Sequence, residues 1–208
     1  MKTGVFGGTF NPPHKGHTRL ATEFAKELGL DRVLIIPDKS PVHKSAKGLE
    51  SDTDRLNMCR LAFSDGLFEI SSLETERETD SYTVYTLREL KKLYPDDELY
   101  LIIGSDMFLM FAKWYEYREI LDMCTLCVAS RCEEESIDGL RRYSEEVLKI
   151  PIDGLCGNGI IISPTEPFEI SSTELRSLLK SDGNTGRYLD PAVRKYIEDR
   201  GLYGYRKK

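Results

Sequence analysis

The chain has 208 residues, 40% hydrophobic and 31% charged, a length and balance suited to one large domain with an ordinary buried core. Its 29 Lys and Arg against 35 Asp and Glu give a net charge of −6, which argues against a dedicated nucleic-acid binder. It leaves room for a local cationic pocket that holds phosphates. The apolar runs are too short to span a bilayer, and MKTGVFGGTFNPPHKGH at the start has no apolar export region. A cytoplasmic protein without a membrane partner is the expectation.

In chain order, short apolar strands alternate with amphipathic helices. Strand Thr3–Phe6 leads into helix Gly16–Leu28, and strand Arg32–Ile36 into helix Asp52–Phe63 behind the cap pattern Ser51-x-x-Asp54. Strand Phe68–Ser71 precedes helix Thr83–Leu93, and strand Leu99–Ile103 precedes a short helix, Met107–Phe111. Strand Thr125–Ala129, helix Glu133–Leu148 and strand Gly159–Ile162 follow. Two further helices close the chain, Thr173–Leu179 behind Ser171-x-x-Glu174 and Pro191–Glu198 behind Asp190. This alternation implies an α/β fold: a Rossmann-like parallel sheet with helices on both faces. The expected layout is a single domain, 1–208, with a core over roughly 1–165 and a small helical C-terminal subdomain over roughly 166–208. The polar stretch 131–158 reads as an elaboration on the sheet.

The five cysteines, Cys59, Cys124, Cys127, Cys132 and Cys156, are odd in number and read as reduced thiols. Cys124 and Cys127 form a CxxC, but no second CxxC or nearby His completes a zinc set. On a strand, residues three apart point to opposite faces, so core thiols are the simpler reading.

The most informative segment is Gly7-Gly8-Thr9-Phe10-Asn11-Pro12-Pro13-His14-Lys15-Gly16-His17. Two glycines after a strand let backbone approach a bulky ligand. The helix that follows turns its free N–H groups and positive end to the same crevice, where Lys15 and Arg19 add charge. His14 and His17 share one helical face, and they are two of only three histidines. With no acid between them, phosphate binding is a better reading than metal binding, and no metal-ligating residue is assigned. Near the other end, Ser171-Ser172-Thr173 and Arg176 place hydroxyls, N–H groups and a guanidinium at one helix start. Taken alone this is an ordinary cap; taken with the first segment it reads as a triphosphate cradle.

GGTFNPPHKGH resembles the (H/T)xGH motif of the nucleotidyltransferase superfamily, and most closely the GGTFDPPHxGH start of bacterial nicotinate-nucleotide adenylyltransferases. The resemblance continues in the family's order. It runs through PDKSPVHK, DRLNMCRLAF, ETERETDSYTVYTLREL, LIIGSDMFLMFAKWYEYREIL, FEISSTELRSLL and VRKYIEDRGLY. It implies adenylyl transfer from ATP to nicotinate mononucleotide, releasing pyrophosphate and forming nicotinate adenine dinucleotide, with Mg²⁺ accompanying ATP. By the same resemblance His14, His17 and Arg176 are catalytic. Gly7, Gly8, Thr9, Phe10, Gly104, Asp106, Ser172 and Thr173 join them in holding ATP, and Lys44, Thr83 and Trp114 hold the mononucleotide.

On their residues alone, Asp106 also fits a helix cap, Trp114 a core anchor and Lys44 a solvated loop lysine. Asn11 stands where many members carry Asp, Asp80 where proline is common, and Tyr85 where Asp is common. These departures leave acid against amide mononucleotide preference open, and a nicotinamide-preferring or dual-specificity enzyme is the near alternative. A non-catalytic nucleotide-binding homologue is the alternative of a different class. The partners implied are small molecules, with no nucleic acid, and a homo-oligomer is compatible with the family.

Overall fold

The computed structural model describes residues 1–39, 48–130, 137–150, 159–165, 170–181 and 183–205. Among them, six strands form one parallel sheet: β1 (Lys2–Gly8), β2 (Arg32–Pro37), β3 (Phe68–Ile70), β4 (Glu98–Gly104), β5 (Thr125–Ser130) and β6 (Ile160–Pro164). Their order is β3-β2-β1-β4-β5-β6. The chain therefore starts at the centre, winds outward through β2 to β3, then crosses back to β4 and winds out the other way. Val5 pairs with Leu34 on one side and Leu101 on the other. The reversal lies between β1 and β4, and open α/β sheets bind ligands outside the carboxyl ends of the strands at such a point.

Helices α1 (Lys15–Leu28), α2 (Asp52–Ala62), α3 (Thr83–Leu93), α4 (Ser105–Phe108), α5 (Tyr117–Met123), α6 (Ile137–Tyr143), α7 (Ser172–Lys180) and α8 (Pro191–Arg200) cover the sheet and its edge. Strand alternation sends Val5, Leu34, Ile36, Leu101 and Val128 into one core cluster with Val84 and Leu87 of α3 and Ile120 of α5. It sends Phe6, Val33, Ile35 and Ile102 into the other, with Leu20 and Phe24 of α1 and Cys59 of α2. The fully buried central strands are apolar for this reason. A third cluster joins Leu175 and Leu179 of α7, Val193 and Ile197 of α8, Leu189 and Leu202 to Met58 of α2. No helix among the described residues is long and apolar enough to cross a membrane.

Several boundaries differ from expectation. The helix after β4 starts at Ser105, not Met107, with Gly104 as its cap, and ends at Phe108; Phe111–Lys113 forms a separate 3-10 turn. Helix α5 was not expected; Glu116 starts it in the left-handed region (φ 54), and Ile120 and Leu121 bury its inner face. The helix expected over Glu133–Leu148 is α6 followed by a π-helical turn, Ser144–Leu148, with residues 133–136 outside the described residues. Cys124 lies just before β5 rather than on it. The two thiols still separate, Cys124 into the first cluster and Cys127 into the second. Burial drives both pKa values upward, that of Cys124 to about 12, so neither is a ready thiolate.

At the amino-terminal edge of the sheet, Thr3 Oγ1 donates to Asp97 (2.7 Å) and Arg32 Nη2 reaches the same carboxylate (2.9 Å). These bonds, led by that from Thr3, hold the Asp97 carboxyl below its usual range. This knot fastens one edge of the sheet and leaves the carboxyl edge to the ligand-facing loops.

Candidate active site

The loop leaving β1 is held in an unusual shape. Phe10 has φ 45, a costly conformation for a non-glycine residue, and its ring is 2% exposed. A Cβ on Gly8 would lie 3.2 Å from that ring, so glycine here lets the loop fold back over β1. The Asn11–Pro12 peptide is cis. His14 then caps α1 in an extended conformation.

The two imidazoles are in contact, with centroids 3.7 Å apart and planes 27° from parallel. The backbone N–H of His14 donates to Nδ1 of His17 (3.1 Å). With Nδ1 engaged as acceptor, a neutral His17 carries its proton on Nε2 and is a donor there. Phe10 meets His17 edge-on at 5.1 Å and braces the ring. His14 is buried and His17 half-buried.

Arg176, one turn into α7, crosses the molecule to this loop. Its Nη1 donates to the carbonyl oxygen of Asn11 (2.8 Å) and its Nη2 to Thr173 Oγ1 (3.1 Å). Ser172 and Thr173 are the first residues of α7, whose cap Ser171 accepts from Glu174 N (3.2 Å) and donates its own N–H to Glu174 Oε2 (2.8 Å). The imidazole loop and the guanidinium helix, 165 positions apart, thus share one hydrogen bond. Gly7 and Gly8 end β1, and Gly104 ends the neighbouring β4, so these glycines flank the reversal. Asp106 is exposed in the first turn of α4. Thr83 opens α3, and Trp114 ends the 3-10 turn after α4.

The Trp114 indole is half-buried, tilted 47° against Phe111 at 5.1 Å, and its N–H has no hydrogen-bond partner among the described residues. It is neither a fully buried anchor nor a free surface ring. Lys15 and Arg19 are otherwise engaged: Lys15 Nζ donates to Gly186 O (3.0 Å) and Arg19 pairs with Glu23 (2.6 Å). Lys44 and His43 lie outside the described residues.

Arg55, which carried no assigned role in the sequence, supports this floor. Its guanidinium is fully buried in a molecule where most charges face water. Nη1 donates to Thr9 O (2.8 Å) and pairs with Asp38 (3.3 Å), while Nη2 donates to Asp38 O and pairs with Asp52 (2.7 Å). Thr9 Oγ1 also donates to Asp38 (3.2 Å), so the ends of β1 and β2 are tied to α2. Asn11 is a second junction. Its amide donates to Gly48 O (2.9 Å), and its Oδ1 accepts from Glu50 N (3.2 Å) and Tyr203 O–H (2.9 Å). Glycine-rich backbone, paired imidazoles and a guanidinium at the reversal of a doubly wound sheet define a nucleotide-binding protein of Rossmann-like architecture.

Comparison with known proteins makes the class specific. The cytidylyltransferase-like family model matches residues 5–178. The nicotinate-nucleotide adenylyltransferase of Bacillus subtilis is 35% identical over 203 residues, covering 97% of this chain and 98% of that one. A "probable nicotinate-nucleotide adenylyltransferase" of Geobacter sulfurreducens is 40% identical over 215 residues, covering 99% of each. Among solved structures, the Plasmodium falciparum nicotinic acid mononucleotide adenylyltransferase complexed with NaAD superposes with a TM-score of 0.77 over 99% of each chain, at 18% identity. The same protein complexed with APC gives 0.75. The chain belongs to the cytidylyltransferase-like family and, within it, to the nicotinate-nucleotide adenylyltransferases.

Proposed function

We propose that this chain transfers the adenylyl group of ATP to nicotinate mononucleotide. The 5′-phosphate oxygen attacks the α-phosphorus in line, the bond to the β-phosphate oxygen breaks, and pyrophosphate leaves with nicotinate adenine dinucleotide as product. The observation that carries this reading is the bond from Arg176 to the Asn11 carbonyl, which joins the guanidinium helix to the imidazole loop at the sheet's reversal.

The protein's work is positional and electrostatic, because two polyanions must meet. His17, its proton on Nε2, donates to the α-phosphate and offsets the charge developing there. His14 orients the phosphates, and Arg176 with Ser172 and Thr173 takes the β- and γ-phosphates. Gly7, Gly8, Thr9 and Phe10 give the chain close backbone approach to the nucleotide. Gly104 and Asp106 hold the adenosine, with Asp106 as a ribose acceptor. Thr83 and Trp114 receive the pyridine nucleotide, Trp114 by offset stacking, and the resemblance of the PVHK segment assigns Lys44 to the same substrate. The phosphate-facing groups are donors, and no group of three or more His, Cys, Asp or Glu among the described residues could cage a metal. This donor set fits Mg²⁺ that would arrive on the ATP phosphates and would neutralise part of their charge.

The test is incubation with ATP, Mg²⁺ and each of several pyridine mononucleotides, with products read by mass. The expected product is the adenine dinucleotide of the nicotinate form. Binding of ATP without any dinucleotide would overturn the reading, and faster turnover of the amide form would overturn the substrate preference.

A further inference from the structure

We propose that Tyr85 is a positioning residue for mononucleotide recognition, clamping with Tyr82 and Tyr115 the segment that carries Thr83 against the segment that carries Trp114. The proposal rests on the reading of Thr83 and Trp114 given above.

Tyr82 caps α3 and Tyr85 lies in its first turn, so the two bracket Thr83. Tyr115 directly follows Trp114. The three rings meet pairwise. Tyr82 and Tyr85 are edge-to-face at 5.8 Å, Tyr82 and Tyr115 are tilted at 5.0 Å, and Tyr85 and Tyr115 are edge-to-face at 5.9 Å. The Arg88 guanidinium continues this seam, 5.6 Å from the Tyr85 centroid. It donates to both carboxylate oxygens of Glu119 on α5, at 2.7 and 2.6 Å. One stripe of side chains therefore runs along the outer junction of α3 and α5.

The seam bears on recognition because the indole of Trp114 is oriented by ring packing, with no hydrogen bond to its buried N–H among the described residues. A shift of Tyr115 moves its chain neighbour Trp114, and among the described residues no polar bond on the indole resists it. The ring contacts of the seam join α3 to the 114–119 segment and touch neither the imidazole loop nor α7.

The experiment uses the full chain with Tyr85→Ala, Tyr85→Phe and, at the 47% exposed loop position, Tyr115→Ala. In Tyr85→Ala and Tyr115→Ala, KM for nicotinate mononucleotide rises about tenfold while KM for ATP stays within about twofold. Tyr85→Phe keeps the ring and restores the wild-type value. Trp114 is the only tryptophan, so its fluorescence reports the clamp directly. The alanine variants shift its emission and weaken its quenching by mononucleotide. Unchanged emission and KM would overturn the proposal. So would equal loss toward both substrates, or a Phe variant as impaired as the Ala variant. If the wild-type chain makes no dinucleotide, the reading of Thr83 and Trp114 fails separately. The clamp is then judged on the emission shift alone, present in Tyr85→Ala and absent in Tyr85→Phe.

Discussion

Two residues at the carboxyl edge of the sheet differ in kind: His17 has a proposed role in the chemistry, and Arg55 supports the site. His17 is fixed in tautomer by the His14 backbone N–H and in orientation by Phe10, so its Nε2 proton is preorganised. A donor of this kind contributes about 10²–10³ in rate. In His17→Ala, kcat is expected to fall by that factor with the melting temperature near wild type, as read by pyrophosphate release and a thermal melt. Arg55 does the opposite kind of work. Its buried guanidinium pairs with Asp38 and Asp52, and it also donates to two carbonyls that an apolar side chain would leave unsatisfied. Removing one partner of a buried pair typically costs about 3–5 kcal/mol. Asp38 and Asp52 keep some contact with water, at 17% and 37% exposure, so the low end applies to Arg55→Met. Arg55→Lys does not rescue it, because a single ammonium cannot span the fork of acceptors. Urea unfolding of both variants, each destabilised by about 3 kcal/mol or somewhat less, is the check. An Arg55→Met chain as stable as wild type would refute the strut.

At the scale of elements, α8 is clasped to α2 through one carboxylate. Tyr196 O–H donates to Asp54 Oδ1 (2.8 Å), Arg200 reaches the same oxygen (3.1 Å), and Asn57 donates to the Tyr196 hydroxyl (3.1 Å). Asp54 also receives the Ser51 hydroxyl (2.6 Å), the largest of the causes that lower its pKa, ahead of Tyr196 and Arg200. A folded pKa below the unfolded value gives stability that is present above the ordinary carboxylate value and lost as pH falls through the lower folded one. The clasp is therefore expected to weaken below about pH 4. Denaturation as a function of pH should show a smaller acid-dependent loss in Asp54→Asn, which is less stable than wild type at neutral pH.

The sequence makes the sheet and helices α1, α2, α3, α7 and α8 legible, because apolar runs and cap residues are local signals. Ser171-x-x-Glu174 and Asp190-Pro191 both cap as their spacing implies. Helix α5 is not legible: its start is a left-handed Glu116, and only two of its residues, Ile120 and Leu121, are buried, too few for a clear period. The site splits in the same way. The imidazole pair announces itself within one turn of helix. The Arg55 strut and the Asn11–Tyr203 bond do not, because their partners lie up to 192 positions away.

For the whole molecule, hydrogen bonds join the first loop to the last helices, and nucleotide binding at the proposed site is expected to couple them. The first loop and α7 meet through Arg176 and Asn11, while Tyr203 beyond α8 anchors the same Asn11 side chain. A ligand that touches both loop and helix adds its binding energy to the folded state alone, about 2.7 kcal/mol at 100 times its Kd. For a chain of 208 residues that corresponds to a melting shift of roughly 5–10 °C. Hydrogen exchange locates the gain: amides of Thr9, Phe10, Asn11 and His14 and of Ser172–Lys180 are expected to slow together on addition of ATP, with the sheet's amino edge unaffected. In Arg176→Ala the shared bond is gone, so protection of the first loop should persist more weakly and protection of α7 should drop out. Equal protection of both segments in that variant would show that the guanidinium does not carry the coupling.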